Sequence, residues 1–235
     1  MNDTRMNQRI LEIYRKCNIK SFPFSCFQLL KDCGFDTRTY EYLEYKNREL
    51  YELCCLYSED AFTYKDTIYY NNNRPKGRIR FSLMHELGHI VLKHEGAYDW
   101  QEVEANTFAS HILAPRIAIY YARCHCPEDV SRRFGLSPEA SDYAYRSYLT
   151  WYRQVCHNNN RISPTDRAYY RHFYHRAKGV FVWEMHRCRL CGKLLVNGES
   201  CTCHNTRLTY YNNADPYGDP GFTQAEYRFL YGHDL

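Results

Sequence analysis

The chain has 235 residues, 25% of them charged and 44% in the hydrophobic class, with a formal net charge of +4. That length carries one respectable core plus small appendages, or two small domains, and the balance excludes a disordered or membrane-embedded chain. The mild, dispersed positive charge does not demand a nucleic-acid partner, and no segment approaches the roughly 20 apolar residues that span a bilayer.

No apolar run follows Met1-Asn2-Asp3-Thr4-Arg5, so a cytoplasmic protein is expected, with its 12 cysteines as reduced thiols rather than disulfides. Ile10, Leu11, Ile13 and Tyr14 recur at helical spacing within 4–17, and Phe24 to Cys33 reads as a second helix stopped by Gly34. Leu53-Cys54-Cys55-Leu56-Tyr57 and Thr67-Ile68-Tyr69-Tyr70 are rich in strand formers, and Asn71 to Gly77 is turn-like. A small sheet is therefore predicted ahead of the next helix. The 24 tyrosines are expected to act mainly as amphipathic packing rings.

That helix carries His85-Glu86-Leu87-Gly88-His89 inside a continuous apolar segment, with Ile79, Phe81, Leu83 and Met84 before it and Ile90-Val91-Leu92 after it. Residues four apart share a helix face with Cβ atoms about 5–6 Å apart, so both imidazoles can turn toward one zinc ion at about 2.0–2.1 Å. Glu86 then sits beside the ion as a general base for a bound water whose pKa zinc lowers to about 7. Burying two histidines and a glutamate on an apolar helix without such a partner would be costly.

Zinc needs a third protein ligand, and a further helix from about Gln101 to Leu113 offers one before Ala114-Pro115 ends it. Glu102, Ala105, Asn106, Ala109 and Leu113 form one stripe, and its two alanines permit close approach to the zinc helix. Glu102 is the expected ligand. Glu104 points roughly 160° around the helix, toward Phe108 and His111, and is the weaker choice. Asn106 is placed to hydrogen-bond a ligand from behind.

Arg80 to Leu92, followed by Glu102-Val103-Glu104-Ala105-Asn106-Thr107-Phe108-Ala109 and Leu113-Ala114-Pro115, resembles the ImmA/IrrE family of zinc metallopeptidases over roughly residues 5–150. The resemblance implies an α+β, zincin-like fold with the HExxH pentapeptide on the active-site helix. It also implies a gluzincin-like peptidase in which His85, His89 and Glu102 hold zinc and Glu86 is the base. Its implied substrate is a helix-turn-helix transcriptional repressor of a mobile element, prophage or stress regulon. Ala114 stands where the family usually has Met.

Downstream, Val130 to Trp151 reads as helix, tight turn, helix, with Ser137 as N-cap and Pro138 at the first helical position. Such a unit can enter a DNA groove, yet Arg132, Arg133, Arg146 and Arg153 are few, so DNA binding is not the favoured reading. His157 to Pro164 is a polar linker. Cys188-Arg189-Leu190-Cys191-Gly192 and Cys201-Thr202-Cys203, joined through a hairpin-like Leu194 to Gly198, resemble a zinc ribbon holding one structural zinc on four thiolates. The second pair is one residue short of the common spacing, which leaves His204 or His186 as a substitute ligand. Cys124-His125-Cys126 has no matching pair nearby and reads as structural. In the tail, Thr223-Gln224-Ala225-Glu226 is a capping-box pattern flanked by Phe222 and Tyr227.

The expected organisation is a metallopeptidase domain over 1–127, a helical subdomain over 128–157, linker and helix over 158–178, a zinc-ribbon-like module over 179–212 and a tail over 213–235. A zinc endopeptidase is the leading functional reading. The alternative is a DNA- or repressor-binding regulator whose zincin core is a scaffold, and a zinc hydrolase of another amide would share the same residues.

Overall fold

A computed structural model of the chain describes residues 3–96, 98–159 and 161–203. Its first helices are α1 (Asp3–Lys16) and α2 (Cys26–Cys33). Ser25 caps α2 by accepting from the Gln28 N–H, and Gly34 ends it in the left-handed region at φ 99°. Tyr14 stands at the centre of the core, with its hydroxyl donating to the Ile112 carbonyl at 2.5 Å and its ring packed edge-on against Phe22, Phe24, Tyr169 and Phe173. Tyr169 likewise donates to the Asn7 carbonyl at 2.9 Å. Packing of rings with one satisfied hydroxyl accounts for this part of the tyrosine content.

The small sheet has the order β1-β3-β2. β1 (Asp36–Thr39) runs parallel to β3 (Thr67–Tyr70), and β2 (Ala61–Tyr64) runs antiparallel to it with Thr63 opposite Ile68. Between β1 and β2 lie α3 (Tyr40–Lys46) and α4 (Arg48–Tyr57). The strand expected over 53–57 is therefore a correction: it is the second half of α4. Asn47 caps that helix by accepting from the Leu50 N–H, and Arg48 pairs with Glu52 at 3.1 Å one turn on. Cys54 faces inward while Leu56 is 79% exposed, so the apolar run winds around a helix instead of alternating across a sheet.

α5 (Lys76–Leu92) crosses the sheet and carries the pentapeptide. Its start at Lys76 shortens the expected turn to residues 71–75. α6 (Asp99–Leu113) lies against it, beginning two positions before the expected Gln101. The closeness of this pair is set at Gly88, where a Cβ would stand 3.1 Å from Phe108 Cδ1 and 3.3 Å from both Cα and O of Ala105. A Cβ there would be tight enough that Phe108 or the Ala105 backbone must give by a few tenths of an ångström.

α7 (Arg116–Tyr121), α8 (Pro127–Phe134), α9 (Pro138–His157) and α10 (Pro164–Phe173) complete the body. Gly135, at φ 65°, makes the turn between α8 and α9, and Ser137 caps α9 on the Ala140 N–H. Val130, Phe134, Leu136, Ala140 and Ala144 belong to the same buried cluster as Leu83, Leu87, Phe108 and Ile112. Short strands follow: β4 (Tyr174–His175) pairs with β5 (Val180–Phe181), and β6 (Met185–Arg187) with β7 (Leu194–Val196). The architecture is α+β, helices around small sheets. Among the described residues no helix is long and apolar enough to cross a membrane.

Candidate metal centre

Helical spacing sets His85 and His89 one turn apart on α5, and the Gly88–Ala105 contact brings the first turn of α6 over them. Nε2 of His85 lies 3.0 Å from Nε2 of His89, and each is 3.3 Å from an oxygen of Glu102. The histidine side chains are 17% and 22% exposed and the Glu102 side chain 52%, so the donor set opens to solvent on the α6 side.

These distances suit a metal ion. Tetrahedral donors about 2.0–2.1 Å from a common centre are roughly 3.3 Å apart. The His85 Nδ1 lies 2.9 Å from Oδ1 of Asn106, one turn beyond Glu102. With that oxygen as acceptor, Nδ1 carries the proton and the Nε2 lone pair faces inward. Burial and the neighbouring His85 hold the His89 imidazole down to about 4, so it too is neutral and available as a donor. Lone pairs and a carboxylate turned toward one point need a cation between them.

Glu86 lies on the sheet side of α5. Thr63 of the outer strand β2 donates its hydroxyl to Glu86 Oε2 at 2.6 Å and its backbone N–H to the same carboxylate. Loss of hydration pushes the Glu86 carboxyl up to about 7, outweighing the opposing effect of the Thr63 hydrogen bonds. Glu104 does not join the three converging donors. Its Oε2 instead lies 3.2 Å from Nε2 of His94, whose Nδ1 is 3.0 Å from Nδ1 of His89.

Sequence reasoning passed over Thr63, His94 and Glu104 in these positions. Thr63 belongs to a four-residue strand with no alternating apolar pattern to announce it. His94 did offer a signal, since a histidine just past the end of a metal-binding helix can fold back on it. Lys93 makes that fold: at φ 56° it ends α5 in the left-handed region, and the His94 N–H then donates to the His89 carbonyl at 3.0 Å.

The second converging set is Cys188, Cys191, Cys201 and Cys203, whose sulfurs all lie within 4.8 Å of one another. Sγ separations are 3.5 Å for Cys188–Cys203, 3.4 Å for Cys191–Cys201 and 3.1 Å for Cys201–Cys203. Cys201 and Cys203 each have two sulfur neighbours, which is a cluster rather than a pair of disulfides. Four thiolates about 2.3 Å from one zinc would stand roughly 3.8 Å apart. The knuckle occupies the tip between β6 and β7, with Cys188 N–H on the Lys193 carbonyl at 2.9 Å and Gly192 N–H on the Cys188 carbonyl at 2.8 Å. The expected hairpin over 194–198 is thus corrected: Leu194–Val196 pairs backward onto Met185–Arg187, because the knuckle itself supplies the turn. Asn197 ties the module to the body by accepting from the Trp183 N–H at 2.9 Å and donating to the Phe181 carbonyl at 2.6 Å. Among the described residues His186 is not one of the converging donors. His204 and the capping-box pattern at Thr223 lie outside the described residues.

Around Cys124-His125-Cys126 no third donor converges among the described residues. Cys124 is buried and Cys126 precedes α8 as its N-cap residue. Of the arginines on the helical pair, Arg132 bridges Asp129, Arg146 bridges Asp142 at 2.8 Å and Arg133 lies over the Trp183 ring.

Residues 41–146 match a family model described as Peptidase_M78, the IrrE N-terminal-like domain. No curated protein and no solved structure matches the chain. The matched stretch runs from α3 into α9, encloses the His85, Glu86, His89 and Glu102 constellation and stops before the cysteine cluster. Residues 41–146 of this chain thus resemble the IrrE N-terminal-like domain that the Peptidase_M78 model describes.

Proposed function

We propose that the protein is a zinc-dependent endopeptidase, zincin-like in fold, which cuts a protein substrate. The observation that carries this reading is the convergence of His85, His89 and Glu102 with Glu86 alongside, within the segment that matches a peptidase family. Zinc held by those three residues supplies Lewis acidity to a peptide carbonyl and lowers the pKa of water to about 7. Glu86, fixed by Thr63 and poised near neutrality by burial, takes the proton of the attacking water on its carboxylate and passes it to the departing amine. Asn106 holds the His85 ring in the tautomer that leaves Nε2 free.

The resemblance of residues 80–115 to the ImmA/IrrE peptidases supports a helix-turn-helix repressor as the substrate, in the cytoplasm. The four-thiolate cluster, with no place for water, supports a second, structural zinc. The DNA-binding alternative finds less support. Base contacts in a helix-turn-helix come from the start of its second helix, but here the start of α9 is lodged against α5. A Cβ on Gly77 would stand 2.7 Å from the Ser137 nitrogen, and Glu139 pairs with Arg78 at 3.2 Å.

The test is incubation of the zinc-loaded protein with a small helix-turn-helix repressor encoded in a neighbouring reading frame, read by intact mass. Defined fragments from the wild-type protein and none from Glu86→Gln support the reading. An intact repressor under zinc-replete conditions, or equal cleavage by Glu86→Gln, contradicts it.

A further inference from the structure

The Proposed function leaves unused a buried pair next to the metal centre: His94, whose side chain is 3% exposed, and Glu104, at 17%. We propose that His94 and Glu104 are positioning residues that fix the tautomer and ring orientation of His89 through a directed chain of hydrogen bonds. This inference rests on the metal-centre reading above and extends it to two residues outside the three converging donors.

The direction of the chain follows from donor and acceptor counting. His89 turns Nε2 toward His85 and Glu102, so in a neutral ring that binds metal the proton resides on Nδ1. Its neighbour at 3.0 Å is Nδ1 of His94. Two protonated nitrogens cannot share that contact, so His94 Nδ1 is the acceptor and His94 carries its own proton on Nε2. That proton meets Oε2 of Glu104 at 3.2 Å. Each donor therefore has an acceptor, ending on a carboxylate. A metal-ligating histidine ordinarily donates its second ring N–H to a carboxylate, carbonyl or water, which orients it and raises its basicity. Here one imidazole is interposed between the ligand and the carboxylate.

Geometry excludes His94 as a metal ligand in place of Glu102. It contacts the Nδ1 edge of His89, across the ring from the nitrogen that faces the donor set. Its placement is built in: Lys93 adopts φ 56°, a conformation unfavourable for a side-chain-bearing residue, and Trp100 packs edge-on against the His94 ring with centroids 5.6 Å apart. The two glutamates of the first α6 turns are thereby divided. Glu102 addresses Nε2 of both ligand histidines, and Glu104 reaches His89 from behind through His94.

The experiment measures zinc retained per full-length chain along a graded chelator series, with His85→Ala marking what the cysteine cluster contributes. His94→Leu is expected to weaken the histidine centre about 10- to 100-fold. His94→Asn, which keeps an acceptor where Nδ1 stands, should restore most of that loss, and Glu104→Gln should fall between. Wild-type affinity in a folded His94→Leu protein overturns this proposal alone. Equal zinc in wild-type and His85→Ala proteins overturns the metal-centre reading, and this proposal with it. If His94→Leu fails to fold, imidazole nitrogen NMR of the zinc-loaded wild type decides: a proton on His94 Nε2 and none on Nδ1 supports the chain, and a proton on His94 Nδ1 refutes it.

Discussion

The two candidate metal centres are built in opposite ways. At the histidine centre the donors come from two helices brought together at the Gly88–Ala105 contact, with His85 Nδ1 against the Asn106 Oδ1 acceptor and His89 Nδ1 against His94. At the cysteine centre the donors lie within residues 188–203, on a tight turn and the segment after β7, with little buried apolar surface of their own. A site preorganised by a large core can hold three ligands and leave the metal a position for chemistry, whereas a local site needs its ion to complete the fold. Metal removal should therefore leave the body folded and loosen the hairpin.

The sharpest break between the two is chemical. Glu86→Gln should retain zinc at both centres while cleavage falls by at least about 10²-fold, the usual contribution of a positioned general base. Next in size, replacing Cys188 and Cys191 together by serine should remove one zinc equivalent and speed hydrogen exchange in residues 185–203. Repressor cleavage by the body should stay within about threefold, and a collapse of cleavage would show that the two centres are coupled rather than independent. The smallest effect is expected from Gly88→Ala. Helix propensity favours alanine by about 1 kcal/mol, but overpacking against the Ala105 backbone costs about 1–3 kcal/mol, so a net destabilisation of about 1 kcal/mol should appear in denaturant melts. A stabilised Gly88→Ala protein would mean that the approach of α6 to α5 is looser than the account requires.

What the sequence made legible follows the same division. His85 and His89 were readable because a four-residue helical spacing is local, and Glu102 because the alanine stripe on its helix marked the face that approaches α5. The cysteine cluster was readable from its knuckle. The strands β1 and β2 were not, since Asp36-Thr37-Arg38-Thr39 and Ala61-Phe62-Thr63-Tyr64 have no clear alternation and owe their pairing to β3, which β1 meets only across α3 and α4 and β2 meets through the two-residue turn Lys65-Asp66. The run 53–57 misled because branched and aromatic residues suit both states, and the deciding Asn47 cap lies outside it. Thr63, His94 and Glu104 depend on tertiary approach and on one left-handed residue, Lys93, which no periodicity encodes.

The most direct measurement is anomalous diffraction at the zinc absorption edge from crystals of the intact chain. The account predicts one peak about 2.0–2.2 Å from Nε2 of His85, Nε2 of His89 and a Glu102 oxygen, and a second amid the four sulfurs. A zinc-loaded crystal with density at the sulfurs and none between the two histidines would contradict its central claim.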